Sequence, residues 1–386
     1  MNTGRSMSNI KVMTILGTRP EIIRLTRVMA ALDLYTEHVL VHTGQNYDYE
    51  LNEIFFNDLE LRKPDVFLNA DPSSLGSMLG GILIGVEKVL AEHRPDAVLI
   101  LGDTNSSIAG IMAKRMKVPI YHMEAGNRSF DPNVPEEVNR KLIDRISDFN
   151  LVYTEHARRH LLTEGMPHRR IYLTGSPMKE VLDYYRPAIE KSDVLDRLGL
   201  SRDGYLLVSM HREENVDSQK NLEGLLNAIM KVHERFRLPV LFSTHPRTRK
   251  RLEALGKSYE QDAFTFSKPF GFLDYNKLQQ NAFCVLSDSG TITEESALLG
   301  FSAVTIRNSM ERPEGIDTGS IVLTGFDMDI IVQSVATVTD YRIKGKVPPI
   351  PVDYLNENVS QRVVNLIIGT ARLSNEWDGL RKLDYN

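Results

Sequence analysis

Three carboxylates and one histidine stand where an apolar run closes or the following loop opens: Asp103, Glu124, Glu136 and His211. Asp103 closes DAVLILGD, Glu124 closes PIYHMEAG, Glu136 follows in the loop NVPEEVNR, and His211 closes YLLVSMH. Such groups suit proton transfer. Crowded carboxylates raise one another's pKa, so one can serve as an acid while another serves as a base. In an open α/β sheet, ligands bind outside the carboxyl ends of the strands. Acids gathered there from separate strands would act on a single bound ligand.

A second set of residues suits an anion. GTRPE, Gly17 to Glu21, pairs a glycine turn with a helix start, whose backbone N–H groups attract negative charge. Arg19 adds a planar cation matched to phosphate. The segment is neither GxGxxG nor a P-loop, and Gly256–Lys257–Ser258 has Arg251 where a P-loop needs its first glycine. Read without context, GTRPE is equally a plain turn. In LSDSGTITEES, residues 286–296, the small residues Ser289, Gly290 and Thr291 would admit a phosphate to a helix start. Glu295 could then accept both hydroxyls of a ribose. The plainer alternative is a capped helix whose acids complement its dipole. His211–Arg212–Glu213, His245 in STHPRTRKR and Arg312 in RNSMERPEG also follow strands, as ligand contacts or as structural turns.

Other chemistries lack their landmarks. His156 and His160 are spaced as in HExxH, but Ala157, Arg158 and Arg159 lie between them, so no zinc site is expected. No G-x-S-x-G elbow is present to carry a nucleophilic serine.

The elements that must position these groups repeat one rhythm. Strands are expected at Lys11–Leu16, His38–His42, Ala97–Leu101, Ile120–Met123, Leu151–Tyr153 and Ile171–Thr174. Helical patterns separate them near 20–32, 75–92, 105–116, 135–147, 156–164 and 178–187. The rhythm restarts with Tyr205–Met210, Val240–Thr244, Phe264–Ser267, Cys284–Ser287, Ala303–Ile306 and Ile321–Leu323. Strands alternating with helices predict parallel sheets in βαβ units. Two doubly wound domains are therefore expected, residues 1–185 and 186–358, with a final helical segment, 359–386, completing the first. A cleft between two such domains is the default ligand site.

Composition narrows the class. A chain of 386 residues exceeds one ordinary core. Its 42% hydrophobic and 25% charged content is that of a soluble enzyme. A net charge of −5 with no long basic run argues against nucleic acid. No apolar run reaches the length of a membrane span, and MNTGRSMSN lacks the apolar core of a signal peptide. Met7 could serve as an alternative start. The single cysteine, Cys284, excludes a disulfide framework within the chain and reads as a small buried hydrophobe. A cytoplasmic setting is expected.

GTRPEIIR, LGDTNS, HMEAGNR, PEEVNR, SMHREEN, DSGTITEE and RPEG occur here in that order. The ordered set, spanning about residues 11–370, resembles the non-hydrolysing UDP-N-acetylglucosamine 2-epimerase family. The resemblance implies a GT-B type α/β fold of two Rossmann-like domains with UDP in the interdomain cleft. It also implies a C-terminal helix crossing back to the first domain, a homodimer, and no need for metal or nicotinamide. By the same resemblance UDP is eliminated to a glycal and added back, with Asp103, Glu124 and Glu136 as acid/base groups. His211 would then lie near the leaving pyrophosphate and Glu295 at the ribose. Arg19, His245, Ser289, Gly290, Thr291 and Arg312 would complete the UDP contacts.

The sequence departs from the family pattern at three places. The family's Gln-His after the second strand is Gln45–Asn46 here, and its Gln/Arg-rich loop is NADPSSLGS. Bacterial members bind an activating UDP-N-acetylglucosamine at those segments, so that second site is not expected. DSGT replaces the usual DSGG, which puts Thr291 where glycine approaches phosphate. HTGQNYDYELNE, GDTNS, MEAGNRSFD, THPRTRKR and DSGTI are more similar to the branch that makes UDP-N-acetyl-L-fucosamine for capsule or O-antigen. The alternative substrate is UDP-N-acetylglucosamine itself, interconverted with UDP-N-acetylmannosamine by the same C2 chemistry. Three other readings share the cleft: a hydrolysing epimerase that releases N-acetylmannosamine and UDP, a GT-B glycosyltransferase, and a non-catalytic UDP-sugar sensor, against which Asp103, Glu124, Glu136 and His211 argue.

Overall fold

Apolar runs too short for buried helices form strands covered on both faces, as parallel sheets require. The computed structural model describes residues 9–44, 56, 58–255 and 263–380. It divides into two compact units, residues 1–181 with 355–386, and residues 182–354.

The first unit holds β1 (Lys11–Leu16), β2 (Glu37–His42), β3 (Val66–Phe67), β4 (Ala97–Leu101), β5 (Ile120–Ala125), β6 (Phe149–Val152) and β7 (Ile171–Leu173). Their order in the sheet is β3-β2-β1-β4-β5-β6-β7, and every pairing is parallel. Met13 lies opposite Val39 on one side and Val98 on the other, so the registers stack apolar residues into one core. The order reverses between β1 and β4, which opens the usual ligand crevice at their carboxyl ends.

The second unit repeats the plan. Its strands are β8 (Leu206–Ser209), β9 (Val240–Ser243), β10 (Phe264–Ser267), β11 (Cys284–Ser287), β12 (Ala303–Thr305) and β13 (Val322–Leu323). They order as β10-β9-β8-β11-β12-β13, again all parallel, with the reversal between β8 and β11. Cys284 is buried in this sheet, and burial pushes its thiol up to about 12, so it behaves as a small apolar residue.

The strands fall where the apolar runs predict them, with ends differing by one or two residues. The two-residue strand β3 is too short to leave a period-two pattern and was not expected. The helix expected at 178–187 continues to Lys191 with Pro187 inside it. The chain crosses between units within this helix, at 181/182, and returns at 354/355. Both crossings lie four residues before the expected boundaries of 185/186 and 358/359. The reason is local: Tyr185 packs edge-on against Phe272 at 5.7 Å, and Tyr354 donates to Glu314 at 2.6 Å, which ties both to the second unit.

The C-terminal segment completes the first unit. Helix Val359–Thr370 packs on helix Arg19–Tyr35. Tyr121 and Thr370 share a hydroxyl hydrogen bond of 2.6 Å, and the Arg170 guanidinium lies 5.0 Å from the Phe149 ring and 5.6 Å from the Trp377 ring. These contacts tie residues 359–378 to strands β5 and β6. No described helix is long and apolar enough to cross a membrane.

Glu21 joins two loops at the β1/β4 reversal. As the third residue of helix Arg19–Tyr35 it completes a capping box with Thr18. Its Oε2 accepts from the N–H of Gly17 at 2.6 Å and of Thr18 at 2.8 Å, while Oε1 accepts from Thr104 Oγ1 at 2.5 Å. All three partners donate, which favours the anion, yet burial outweighs them and raises the carboxyl from 4.5 to about 7. A carboxyl raised on folding contributes stability that is fully present below its unfolded value and is lost as pH rises through the folded one. Glu21→Gln, with the same shape and no charge to bury, should therefore gain relative to wild type between pH 4.5 and 7, by about 3 kcal/mol at the plateau. Unfolding measured at pH 5 and pH 8 checks this, and a difference independent of pH would sink it.

Candidate active site

Asp103 and Glu124 come from adjacent strands of the first unit. Asp103 lies two residues beyond β4, and Glu124 is the penultimate residue of β5. The register slips between Met123 and Ala125, and Glu124 sits at φ 66°, in the left-handed region that non-glycine residues rarely occupy. Such backbone strain costs about 1–3 kcal/mol and persists where the surroundings hold a side chain for use. The bulge turns the Glu124 side chain out of the regular alternation.

Each carboxylate is gripped by its own buried arginine. Arg24, 2% exposed, donates Nη1 to Glu124 Oε2 at 3.0 Å, and Asn127 Nδ2 donates to Oε1 at 3.3 Å. Arg140, 5% exposed, donates Nε to Asp103 Oδ2 at 2.9 Å, with Nη2 on the same oxygen. Arg140 also holds Glu137 through Nη1. Glu124 reaches the loop that carries Asp103, since a Cβ added at Gly102 would lie 3.9 Å from Glu124 Oε2.

Beneath them, His122 places its ring nitrogens 2.8 Å from the Gly102 carbonyl and 2.9 Å from the Asp144 carboxylate. Burial works against the charge of Asp144, but His122 and Arg128 outweigh it and hold the carboxyl below its usual range. This buried ladder fixes the backbone just before Asp103. The His160 Nδ1 is taken by the Gly126 carbonyl at 2.9 Å, a structural use for one of the HExxH-spaced histidines.

Glu136 belongs to the first turn of helix Pro135–Ile146 rather than to a loop, and is partly buried. The adjacent Glu137 is buried and committed to the Ser129 N–H at 3.1 Å, the Ser129 hydroxyl at 3.0 Å and Arg140. Of the two consecutive glutamates, Glu136 is the one with the freer surroundings. Asn139 of the same helix donates to the Asp103 carbonyl at 3.0 Å, so this helix start is tied to the β4 loop. Arg19 opens the helix after β1, partly buried, beside the Gly17–Thr18 turn held by Glu21. A Cβ on Gly17 would meet Thr43 Oγ1 at 2.0 Å and Ser106 Oγ at 2.3 Å, so only glycine fits that turn. The structure thus gathers Asp103, Glu124, Glu136 and Arg19 along the strand ends of one sheet.

The remaining candidates share the corresponding edge of the second unit. His211 and His245 follow β8 and β9 with ring centroids 6.3 Å apart, and His211 Nδ1 lies 3.1 Å from Asp288 Oδ1. Ser289, Gly290 and Thr291 form the turn after β11, with Ser289 and Thr291 hydroxyls 3.0 Å apart. Thr291 stands at the start of helix Ile292–Leu299 without a side-chain capping bond, and the first turn of that helix carries Glu294 and Glu295. Glu295 is largely buried and accepts from Gln279 Nε2 at 2.8 Å. Arg312 is also buried: it donates Nε to the Gly290 carbonyl at 3.0 Å and pairs with Glu294 at 3.2 Å, bracing the turn from behind. Arg212, one-fifth exposed, donates Nε to the Asp288 carbonyl at 3.0 Å. Cations, two imidazoles and a small-residue turn at a helix start suit a phosphate.

Sequence reasoning did not single out Arg24, Arg140, Glu21 or Asp288. All four lie inside the motif strings GTRPEIIR, PEEVNR and DSGT, so the signal was present as type and spacing. What it lacked was any sign of which polar residues face one another across elements. Gln45–Asn46 and Gly256–Ser258 lie outside the described residues. NADPSSLGS is described: Asp71 and Ser73 make a turn, and Ser74 caps helix Leu75–His93.

The family model for UDP-N-acetylglucosamine 2-epimerase matches residues 31–368. A UDP-N-acetylglucosamine 2-epimerase structure from Rickettsia bellii is 46% identical, with a TM-score of 0.89 over 95% of this chain and 98% of that one. The Methanocaldococcus jannaschii UDP-GlcNAc 2-epimerase, solved with UDP-GlcNAc and UDP, is 34% identical, with a TM-score of 0.87 over 93% of this chain and 99% of that one. A UDP-2,3-diacetamido-2,3-dideoxy-D-glucuronate 2-epimerase of Pseudomonas aeruginosa is 35% identical over 85% of this chain and 92% of its own. With a matching family model over most of its length and these relatives, the chain belongs to the UDP-N-acetylglucosamine 2-epimerase family of isomerases.

Proposed function

We propose that this protein inverts C2 of a UDP-N-acetylhexosamine by eliminating UDP and adding it back. The observation that carries the reading is the pair Asp103 and Glu124, on neighbouring strand ends, each oriented by its own buried arginine. The C2 hydrogen of such a sugar has no adjacent carbonyl to acidify it. Cleaving C1–O builds oxocarbenium character at C1, and C2–H then becomes acidic. In the forward step a carboxylate takes the C2 proton, C1=C2 forms, and the C1–O electron pair leaves with the UDP oxygen. In the return step that oxygen attacks C1 and a second acid delivers a proton to the opposite face of C2.

Asp103, Glu124 and Glu136 supply the acid and base, and His211 serves the leaving pyrophosphate. Arg19, His245 and the Ser289–Gly290–Thr291 turn hold its oxygens, Arg312 braces that turn, and Glu295 takes the ribose. Small residues and backbone N–H groups at a helix start support the phosphate assignment.

Two measurements test the reaction. In D₂O the recovered UDP-sugar should carry deuterium at C2. Its absence, with sugar transferred to an acceptor, would mark a glycosyltransferase, and accumulating free N-acetylmannosamine would mark a hydrolase. Positioned acid–base groups contribute about 10²–10⁴-fold each. Asp103→Asn, Glu124→Gln and Glu136→Gln should therefore lose turnover by about that factor while still binding UDP. Near-normal rates in all three would refute the assignment.

Within this substrate class, the segments shared with the fucosamine-forming branch favour a UDP-6-deoxy-L-talosamine derivative. A panel with that sugar, UDP-GlcNAc and UDP-2,3-diacetamido-glucuronate should show the highest kcat/KM for the 6-deoxy compound. A clear preference for either of the other two would overturn the branch and leave the C2 chemistry standing.

A further inference from the structure

Asp288 transfers no proton in the reaction proposed above, yet one loop of the site is built around it. It is fully buried beyond the end of β11, and donors converge on its two oxygens. The His211 N–H lies 3.1 and 3.0 Å from them, the Arg212 N–H donates at 3.0 Å, and Asn215 Nδ2 donates at 2.8 Å. His211 Nδ1 lies 3.1 Å from Oδ1. One carboxylate thus engages both the main chain and the ring of His211. Asn215 also donates to the Ile306 carbonyl at 3.3 Å, and Arg212 Nε to the Asp288 carbonyl. The loop after β8 is therefore fastened to the ends of β11 and β12.

The ring held this way is 44% exposed, so its far edge is open to a ligand. An imidazole engaged at Nδ1 has only Nε2 left to offer. Beside it stand His245 and the turn of Ser289 to Thr291, the groups suited to phosphate.

We infer that Asp288 is a positioning residue, which accepts from Nδ1–H of His211 and so turns the Nε2–H of the protonated ring toward the departing pyrophosphate. The inference rests on the role proposed for His211. Burial opposes a charge on Asp288, but His211 and Arg212 outweigh it and hold the carboxyl down to about 2. The group is thus an acceptor throughout the neutral range and offers no proton to Nδ1. A carboxylate with a merely structural part would lower activity equally, whatever residue stood at position 211.

Two measurements on the full chain separate these possibilities. The first is a long-range ¹⁵N–¹H spectrum of the imidazoles, with His211 assigned from the signals lost in His211→Asn. Wild type should show a protonated Nδ1, free and with UDP bound, and a bare Nδ1 overturns the inference. The second is a double-mutant cycle with the best nucleotide sugar of the panel. Asp288→Asn should slow turnover about 10²-fold in the wild-type background. In the His211→Asn background it should change the rate by no more than about twofold. The full loss repeated in that background would show that Asp288 acts independently of His211 and would overturn the inference. If Asp288→Asn does not fold, the wild-type spectrum decides the matter alone. His211→Asn turning over as fast as wild type would remove the role of His211 itself. A bare Nδ1 together with a slow His211→Asn removes only the role given to Asp288.

Discussion

Parallel pairing is the constraint from which the rest of this molecule follows. Every pairing between described strands is parallel, so in each sheet all strands end on the same edge. Each strand must be followed by a crossover, and the backbone turning into that crossover leaves N–H groups and short loops at the edge. Chemistry-bearing side chains therefore collect there without any special device. The carboxylates of the first unit stand at or after the ends of β4 and β5, on one side of its reversal, while the imidazoles of the second follow β8 and β9, on the other side of theirs. The reversals between β1 and β4 and between β8 and β11 open that edge where the two sets lie.

What the plan alone does not supply is direction. The first unit solves this with charge: Arg24 and Arg140 are nearly out of water, and each is compensated by the acid it orients. A buried pair of this kind stabilises little, because desolvation offsets most of the attraction. Its value is geometric, since each guanidinium fixes the direction of the carboxylate it holds. Glu124 adds backbone strain to the same end, and the His122–Asp144 ladder holds the adjoining loop from below. The second unit orients the His211 loop with hydrogen bonds to one ionised acid, Asp288, and braces the neighbouring turn with the Arg312–Glu294 pair.

Much of this was legible in the chain. Strands such as Lys11–Leu16, Ala97–Leu101 and Cys284–Ser287 are largely apolar because both sheet faces are covered, and their limits could be read directly. The placing of Asp103, Glu124 and His211 at strand ends was legible because the apolar runs that end there were. Strand β3 was not, as two residues carry no period. The difference between Glu136 and Glu137 was not either: adjacent glutamates look alike until Ser129 and Arg140, brought in by folding, claim one of them. The left-handed backbone at Glu124 was likewise invisible, because it depends on a register slip against β6.

The first unit is assembled from both ends of the chain, and this bears on how the protein is made. During translation its seven strands leave the ribosome well before helix Val359–Thr370 and Trp377, which later cover helix Arg19–Tyr35 and Arg170. The nascent first unit must wait with an apolar flank bare while the whole second unit is synthesised and folds as an insertion. A premature stop after residue 354 would leave the second unit intact and harm the oldest part of the chain. A defect at the end of the message is thus felt in the sheet that carries Asp103 and Glu124.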